Sequence, residues 1–157
     1  MLGQQMRCLI AILVAQLLSG AVMANDSRIE GWHDDSYLII FSQSEKQDLA
    51  IAYGLNTRLP GYNLVGLEGW DNFIVSNSEG ENFIVSTIPA LPKDLKHYNL
   101  NIESPKLTPD ERFAGKIKWY VKSIIFGGDP QIGGNVIWIP IEKHTELVKW
   151  WNQKVAV

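Results

Sequence analysis

Asn72-Phe73-Ile74-Val75-Ser76 is followed, after the loop Asn77-Ser78-Glu79-Gly80-Glu81, by a copy of itself, Asn82-Phe83-Ile84-Val85-Ser86. Two runs rich in β-branched and aromatic residues, joined by a polar loop containing glycine, predict an antiparallel β-hairpin. A five-residue match is too short for a repeat architecture, and a matched strand pair accounts for it.

Upstream, Tyr62 to Leu67 and Asp71 to Ser76 read as extended pieces interrupted at Gly66 and Gly69. Ser36 to Ser42 (SYLIIFS) reads as a short buried strand. Between them, Ser44-Glu45-Lys46-Gln47 has the spacing of a capping box, a hydroxyl at N-cap and Gln47 at N3. It predicts a helix to about Leu55, with Leu49, Ala52 and Tyr53 on one stripe, stopped by Asn56 to Gly61.

Downstream, Ile88 to Pro109 is a connection punctuated by prolines, with a helical turn expected at Lys93 to Tyr98. Thr108-Pro109-Asp110-Glu111 predicts a brief second helix start. Lys116 to Phe126 (KIKWYVKSIIF) reads as a strand, Gly127-Gly128-Asp129-Pro130 as a sharp turn, and Asn135 to Pro140 as the antiparallel neighbour. Glu142 to Lys154 places His144, Leu147, Val148 and Trp151 on one helical face. There is no βαβ alternation. The expected class is α+β: a mostly antiparallel sheet with hairpins, one early helix and one C-terminal amphipathic helix.

Residues 1–24 have the three-part build of a secretory signal: Arg7 in the leading segment, the apolar run Cys8 to Leu18, and Val22-Met23-Ala24 before a polar start at Asn25. That run is well short of the ~20 apolar residues of a membrane span. The expectation is cleavage after Ala24 and a single domain, residues 25–157, in the periplasm or outside the cell, with no integral span. Cleavage removes one basic residue and no acidic one, so the formal charge of −3 becomes −4. It also removes the single cysteine, Cys8, which excludes both a disulfide framework and a thiol nucleophile. Mild acidity argues against nucleic acid, whose affinity needs clustered Lys and Arg. Six tryptophans, five tyrosines and five phenylalanines are core-building material first.

The chemistry-bearing side chains are scattered. His33, His97 and His144 have no partner at metal-ligand spacing, so no metal and no cofactor is expected. His144 lies on the apolar face of the last helix and reads as a structural histidine. Asp94 precedes His97 by three residues, but no serine nearby has a nucleophile-elbow context. The glycines at 127, 128, 133 and 134 form neither a P-loop nor a dinucleotide fingerprint. Among the carboxylates, Glu79 and Glu81 suit a solvated hairpin loop and Asp129 a turn, and no residue is assigned a catalytic role. Of the aromatics, Trp150 should sit at the margin of its helix, because adjacent residues point about 100° apart. An exposed tryptophan is a common interface anchor. Trp70-Asp71 occupies a glycine-flanked bend and reads as a surface anchor or a core plug.

The segments Phe113 to Val121 (FAGKIKWYV), Phe126 to Pro130 (FGGDP) and Leu147 to Asn152 (LVKWWN) resemble a family of small uncharacterised bacterial proteins, across most of the domain. More loosely, the hairpin-rich sheet and closing helix resemble the SUKH superfamily, with Leu59-Pro60-Gly61-Tyr62 as a remnant of its helix pattern. That resemblance implies an immunity protein that binds and blocks a toxin, and it carries over no residue role. The functional expectation is a non-enzymatic binding protein with a toxin or envelope protein as partner. It would contact that partner through Trp70, Asp71, Glu79, Glu81, Asp129 and Trp150. Two alternatives stand beside it: an envelope hydrolase using a carboxylate pair among Asp71, Glu81 and Asp129, and a structural envelope component.

Overall fold

The computed structural model describes residues 27–101, 105–131 and 133–155, so the signal segment and Cys8 lie outside the described residues. The self-copy forms two adjacent inner strands of a six-stranded sheet. Strands β4 (Asn72–Ser76) and β5 (Asn82–Ser86) pair antiparallel in the register Asn72↔Ser86 to Ser76↔Asn82. Asn77 closes the loop between them, its side-chain oxygen accepting the N–H groups of Glu79 and Glu81 at 3.0 and 2.9 Å. Around this hairpin, β1 (Ile29–His33), β2 (Ser36–Ile40), β3 (Asn63–Glu68) and β6 (Lys96–His97) complete a meander in the order β1-β2-β3-β4-β5-β6. A second, two-stranded sheet pairs β7 (Ile117–Tyr120) with β8 (Val136–Ile139). Every strand pair is antiparallel.

Among the described residues three α-helices accompany the sheets: α1 (Lys46–Tyr53), α2 (Leu55–Arg58) and α3 (Ile141–Lys154). None is long and apolar enough to cross a membrane, among the described residues. On the helix side, Tyr37, Ile39, Leu67, Phe73 and Val75 pack with Tyr53, Leu55, Trp119 and Val148 into the main core. On the opposite face Leu38, Ile40, Val65 and Ile74 are covered by Tyr98, Leu100 and Leu107 of the return segment. Burial on both faces explains why β2 reads as a continuous apolar run rather than an alternating one. Between Leu64 and Gly66 the β3–β4 register slips by a bulge, which lets Leu64 and Leu67 reach the same core. Gly66 is needed there for space: a Cβ would lie 2.1 Å from the Ile39 carbonyl oxygen.

Four local expectations are corrected by tertiary contacts. The capping residue of α1 is Glu45, with no side-chain cap bond, in place of Ser44. The entry is organised instead by Ser42, whose hydroxyl donates to Glu45 Oε2 at 2.6 Å, and by Arg28, whose Nε–H donates to Glu45 Oε1 at 2.8 Å. Lys93 to Tyr98 forms a 3-10 turn at Pro92–Asp94 and then the edge strand β6. Thr108 starts no helix; it exchanges backbone hydrogen bonds of 2.8 and 2.9 Å with Trp32, extending the sheet edge. The strand expected to Phe126 ends at Tyr120. There the Asn135 side chain takes over the chain, accepting the Lys122 N–H at 2.8 Å, and Ile124–Phe126 winds into a 3-10 turn.

An apolar cleft and its exposed rim

Trp32 lies opposite Tyr37 in the β1–β2 register, and the bend Gly69-Trp70 joins β3 to β4. Both bend residues have positive φ, 59° and 63°. For a bulky side chain such as Trp70 that backbone is strained and must be held by its surroundings. The hold is aromatic. Trp70 stacks on Tyr37 with ring centroids 5.1 Å apart, and Trp32, Phe113 and Trp138 meet it edge-on at 6.2, 5.4 and 5.3 Å. The indole Nε1 of Trp70 is buried without a hydrogen-bond partner.

On the other side of Trp70 opens a cleft of about 230 Å³. Its lining is largely apolar, with Trp70, Ile88, Ile124 and Ile125, and includes the buried Thr87, Trp119, Ser123 and His144. Asp71 and Lys118 bring one charge of each sign. Asp71 is exposed at the rim, and its carboxyl is pushed up by desolvation, with Lys118 drawing it down and Glu68 adding to the rise. His144 faces the cleft from α3 and is anchored from behind, its Nδ1 lying 2.7 Å from Tyr53 Oη. Burial drives the imidazole pKa down to about 3, so it is neutral at any physiological pH. A neutral, buried, anchored imidazole shapes the floor of a site; as a proton carrier near pH 7 it is poorly matched.

The rim is the more unusual part. Val121, Ile124, Ile125 and Phe126 are between 39 and 52% exposed, and Ile137 and Trp138 of β8 and Trp150 of α3 are 41–47% exposed. Phe126 lies 4.8 Å from Trp151, which meets Trp150 edge-on at 4.9 Å. These side chains therefore connect the 3-10 turn to α3. Single exposed apolar residues are ordinary; contiguous apolar patches are the ones associated with contact surfaces. Charge is uneven along the chain. Residues 113–155 hold six lysines against Asp129, Glu142 and Glu146, whereas residues 25–112 hold fourteen acidic side chains against seven basic ones.

Of the candidate contacts read from sequence, Trp70 and Asp71 are brought into the cleft together. Glu79 and Glu81 sit exposed at the β4–β5 loop, Glu81 Oε2 accepting the Asn77 side-chain N–H at 2.8 Å. Asp129 holds its own turn, accepting the Gln131 N–H at 2.8 Å, and Trp150 is exposed on α3 beneath Lys154, whose Nζ is 4.8 Å from the ring centroid. Neither Glu81 nor Asp129 lines the cleft, where Asp71 is the one carboxylate. A hydrolytic pair among these three does not assemble there. Among the described residues, no cluster of three His, Cys, Asp or Glu side chains could hold a metal ion.

The exposed segment Val121–Phe126 and Lys118 were not singled out in sequence. The signal was present: Ile124-Ile125-Phe126 runs apolar without the alternation of a half-buried strand, directly before Gly127-Gly128. Comparison with known proteins adds no relative. No family model, curated protein or solved structure matches the chain.

Proposed function

We propose that this chain is a non-enzymatic binding protein working outside the cytoplasm, and that its partner is a protein docked on the face formed by Val121, Ile124, Ile125, Phe126 and Trp150. The observation that carries the reading is the exposure of these large apolar side chains, with Phe126 and Trp150 both packed against Trp151. Lysines stand among them, Lys122 beside Gly127 and Lys154 over Trp150. The partner that fits is a protein with an apolar patch rimmed by carboxylates. A toxin to be neutralised is the partner that the SUKH resemblance implies. Such a surface gains its affinity from desolvated aromatic and aliphatic anchors, and its encounter rate from the opposite charges around them.

The test is affinity capture with tagged residues 25–157 from the envelope and the medium, run in parallel with Ile125→Ser and Trp150→Ala. One protein at unit stoichiometry, lost with both variants, supports the reading. A second copy of the chain, a lipid surface, or a set of proteins held equally by the variants would overturn it.

A further inference from the structure

The imidazole of His144, in the lining of the cleft, is walled by Trp119 and Tyr53, both edge-on with ring centroids 5.6 and 5.5 Å away. Its Nδ1 lies 2.7 Å from Tyr53 Oη, the one side-chain hydrogen bond of both residues among those described. A single hydrogen bridges the two atoms. Were it carried by Nδ1, the hydrogen of the buried Tyr53 hydroxyl would have no acceptor among the described residues, at the cost of a stranded donor. With Tyr53 donating, both groups are satisfied, and the neutral ring carries its own hydrogen on Nε2.

That nitrogen opens on the cleft. Among the described residues Nε2 has no protein partner, yet it is not sealed from solvent. His144 as a whole is only 1% exposed, so the little surface it keeps includes this atom. The cleft is the pocket that His144 lines, whereas Tyr53, which holds Nδ1, lines a separate pocket against α2 and α3. The cleft therefore has a free N–H donor in an otherwise apolar wall.

The rest of the lining sets what can meet that donor. Trp70, Ile88, Trp119 and Ile124 offer flat aromatic and branched aliphatic walls. Asp71 and Lys118 offset each other in charge and the imidazole is neutral, so an ion carried to it would lose hydration without an opposite charge in return. A cavity of about 150 Å³ holds a benzene ring, and about 230 Å³ leaves room for a substituent of a few atoms. Trp70, held at a positive φ of 63°, places backbone strain in the same lining, and such strain collects at ligand sites.

We infer that this cleft is a binding site for a small, uncharged ring compound with an oxygen acceptor, the ring held among Trp70, Ile88, Trp119 and Ile124 and the oxygen accepting the Nε2–H of His144. The site stands without the protein-docking reading, although it shares Ile124 and Ile125 with that face.

The experiment titrates purified residues 25–157 with three probes of one shape. Acetophenone carries the acceptor, isopropenylbenzene has a methylene in place of the oxygen, and benzoate adds a negative charge. Proton–nitrogen correlation NMR of the histidine rings reads the site. Before any probe, His144 should carry its hydrogen on Nε2. Acetophenone should then give saturable shifts at that nitrogen and at the amides of Trp70, Ile88 and Ile124. It should bind about tenfold more tightly than either other probe. Ile124→Trp, at a half-exposed position in the lining, should block acetophenone while its thermal unfolding and the His144 ring spectrum stay as in wild type. Trp150→Ala, outside the lining, should bind it unchanged, which separates this site from the protein-docking face. Hydrogen on Nδ1, linear shifts with all three probes, equal affinity for acetophenone and either other probe, or equal affinity in Ile124→Trp would overturn the assignment.

Discussion

Tyr53 Oη and His144 Nδ1 lie 2.7 Å apart in the interior, tying α1 to α3 beneath the cleft. The folded protein keeps His144 neutral down to about pH 3, whereas the unfolded chain protonates it below its ordinary value of 6.5. Within that window the unfolded state binds the extra proton, so stability falls as the pH drops from 6.5 toward 3. This residue alone contributes a slope approaching about 1.4 kcal/mol per pH unit, and none above the window. Urea unfolding across pH 4–8 in wild type and His144→Gln isolates the effect, since the carboxylates titrate in both. The variant should show the shallower acid arm.

Removing the hydroxyl alone leaves the imidazole nitrogen buried and unpaired. Tyr53→Phe should cost about 1–3 kcal/mol, read as a lower urea midpoint at unchanged slope.

Asn152 is the second polar tie of α3. Its side-chain oxygen accepts the Ala90 N–H at 3.0 Å and its amide donates to the Thr87 carbonyl at 2.8 Å, all in a buried setting. Asn152→Leu has similar bulk but strands both backbone groups. A loss of about 2–4 kcal/mol is expected, with amide exchange at Ala90 rising sharply.

Gly66 tests the bulge. With a Cβ only 2.1 Å from the Ile39 carbonyl oxygen, Gly66→Ala must push β3 away from β2. Overpacking of this kind costs about 1–3 kcal/mol or more, and far-ultraviolet circular dichroism with chemical denaturation reads it directly. Gly61, where a Cβ would meet nothing within 4 Å, offers the contrast in which only its positive φ of 87° opposes alanine.

How much of this was legible in the sequence depends on how local each cause is. The N-F-I-V-S copy carried its own register, because two matched runs across a short loop have one natural pairing. The 3–4 spacing of α3 placed His144 and Val148 inward and Trp150 outward, as observed. Thr108 misled because its capping pattern is local, while its backbone bonds are to Trp32, far away in sequence. Ile124–Phe126 misled for a similar reason. A β-rich composition continued past Tyr120, and only the Asn135 side chain across the turn shows why the strand stops. The bend at Trp70-Asp71 was visible from its glycine, but its aromatic setting required Phe113 and Trp138 to arrive from distant sequence.

If the exposed apolar side chains around Ile125 and Trp150 serve protein binding and not folding, substituting them should cost affinity and leave stability unchanged. The most direct measurement is calorimetric titration of the purified captured partner into wild type, Ile125→Ser and Trp150→Ala, each first matched for unfolding free energy. Both positions are about half exposed, so the variants should unfold within about 0.5 kcal/mol of wild type. Each variant should lose at least tenfold in affinity at that unchanged stability. Affinity within twofold of wild type in both variants would contradict it.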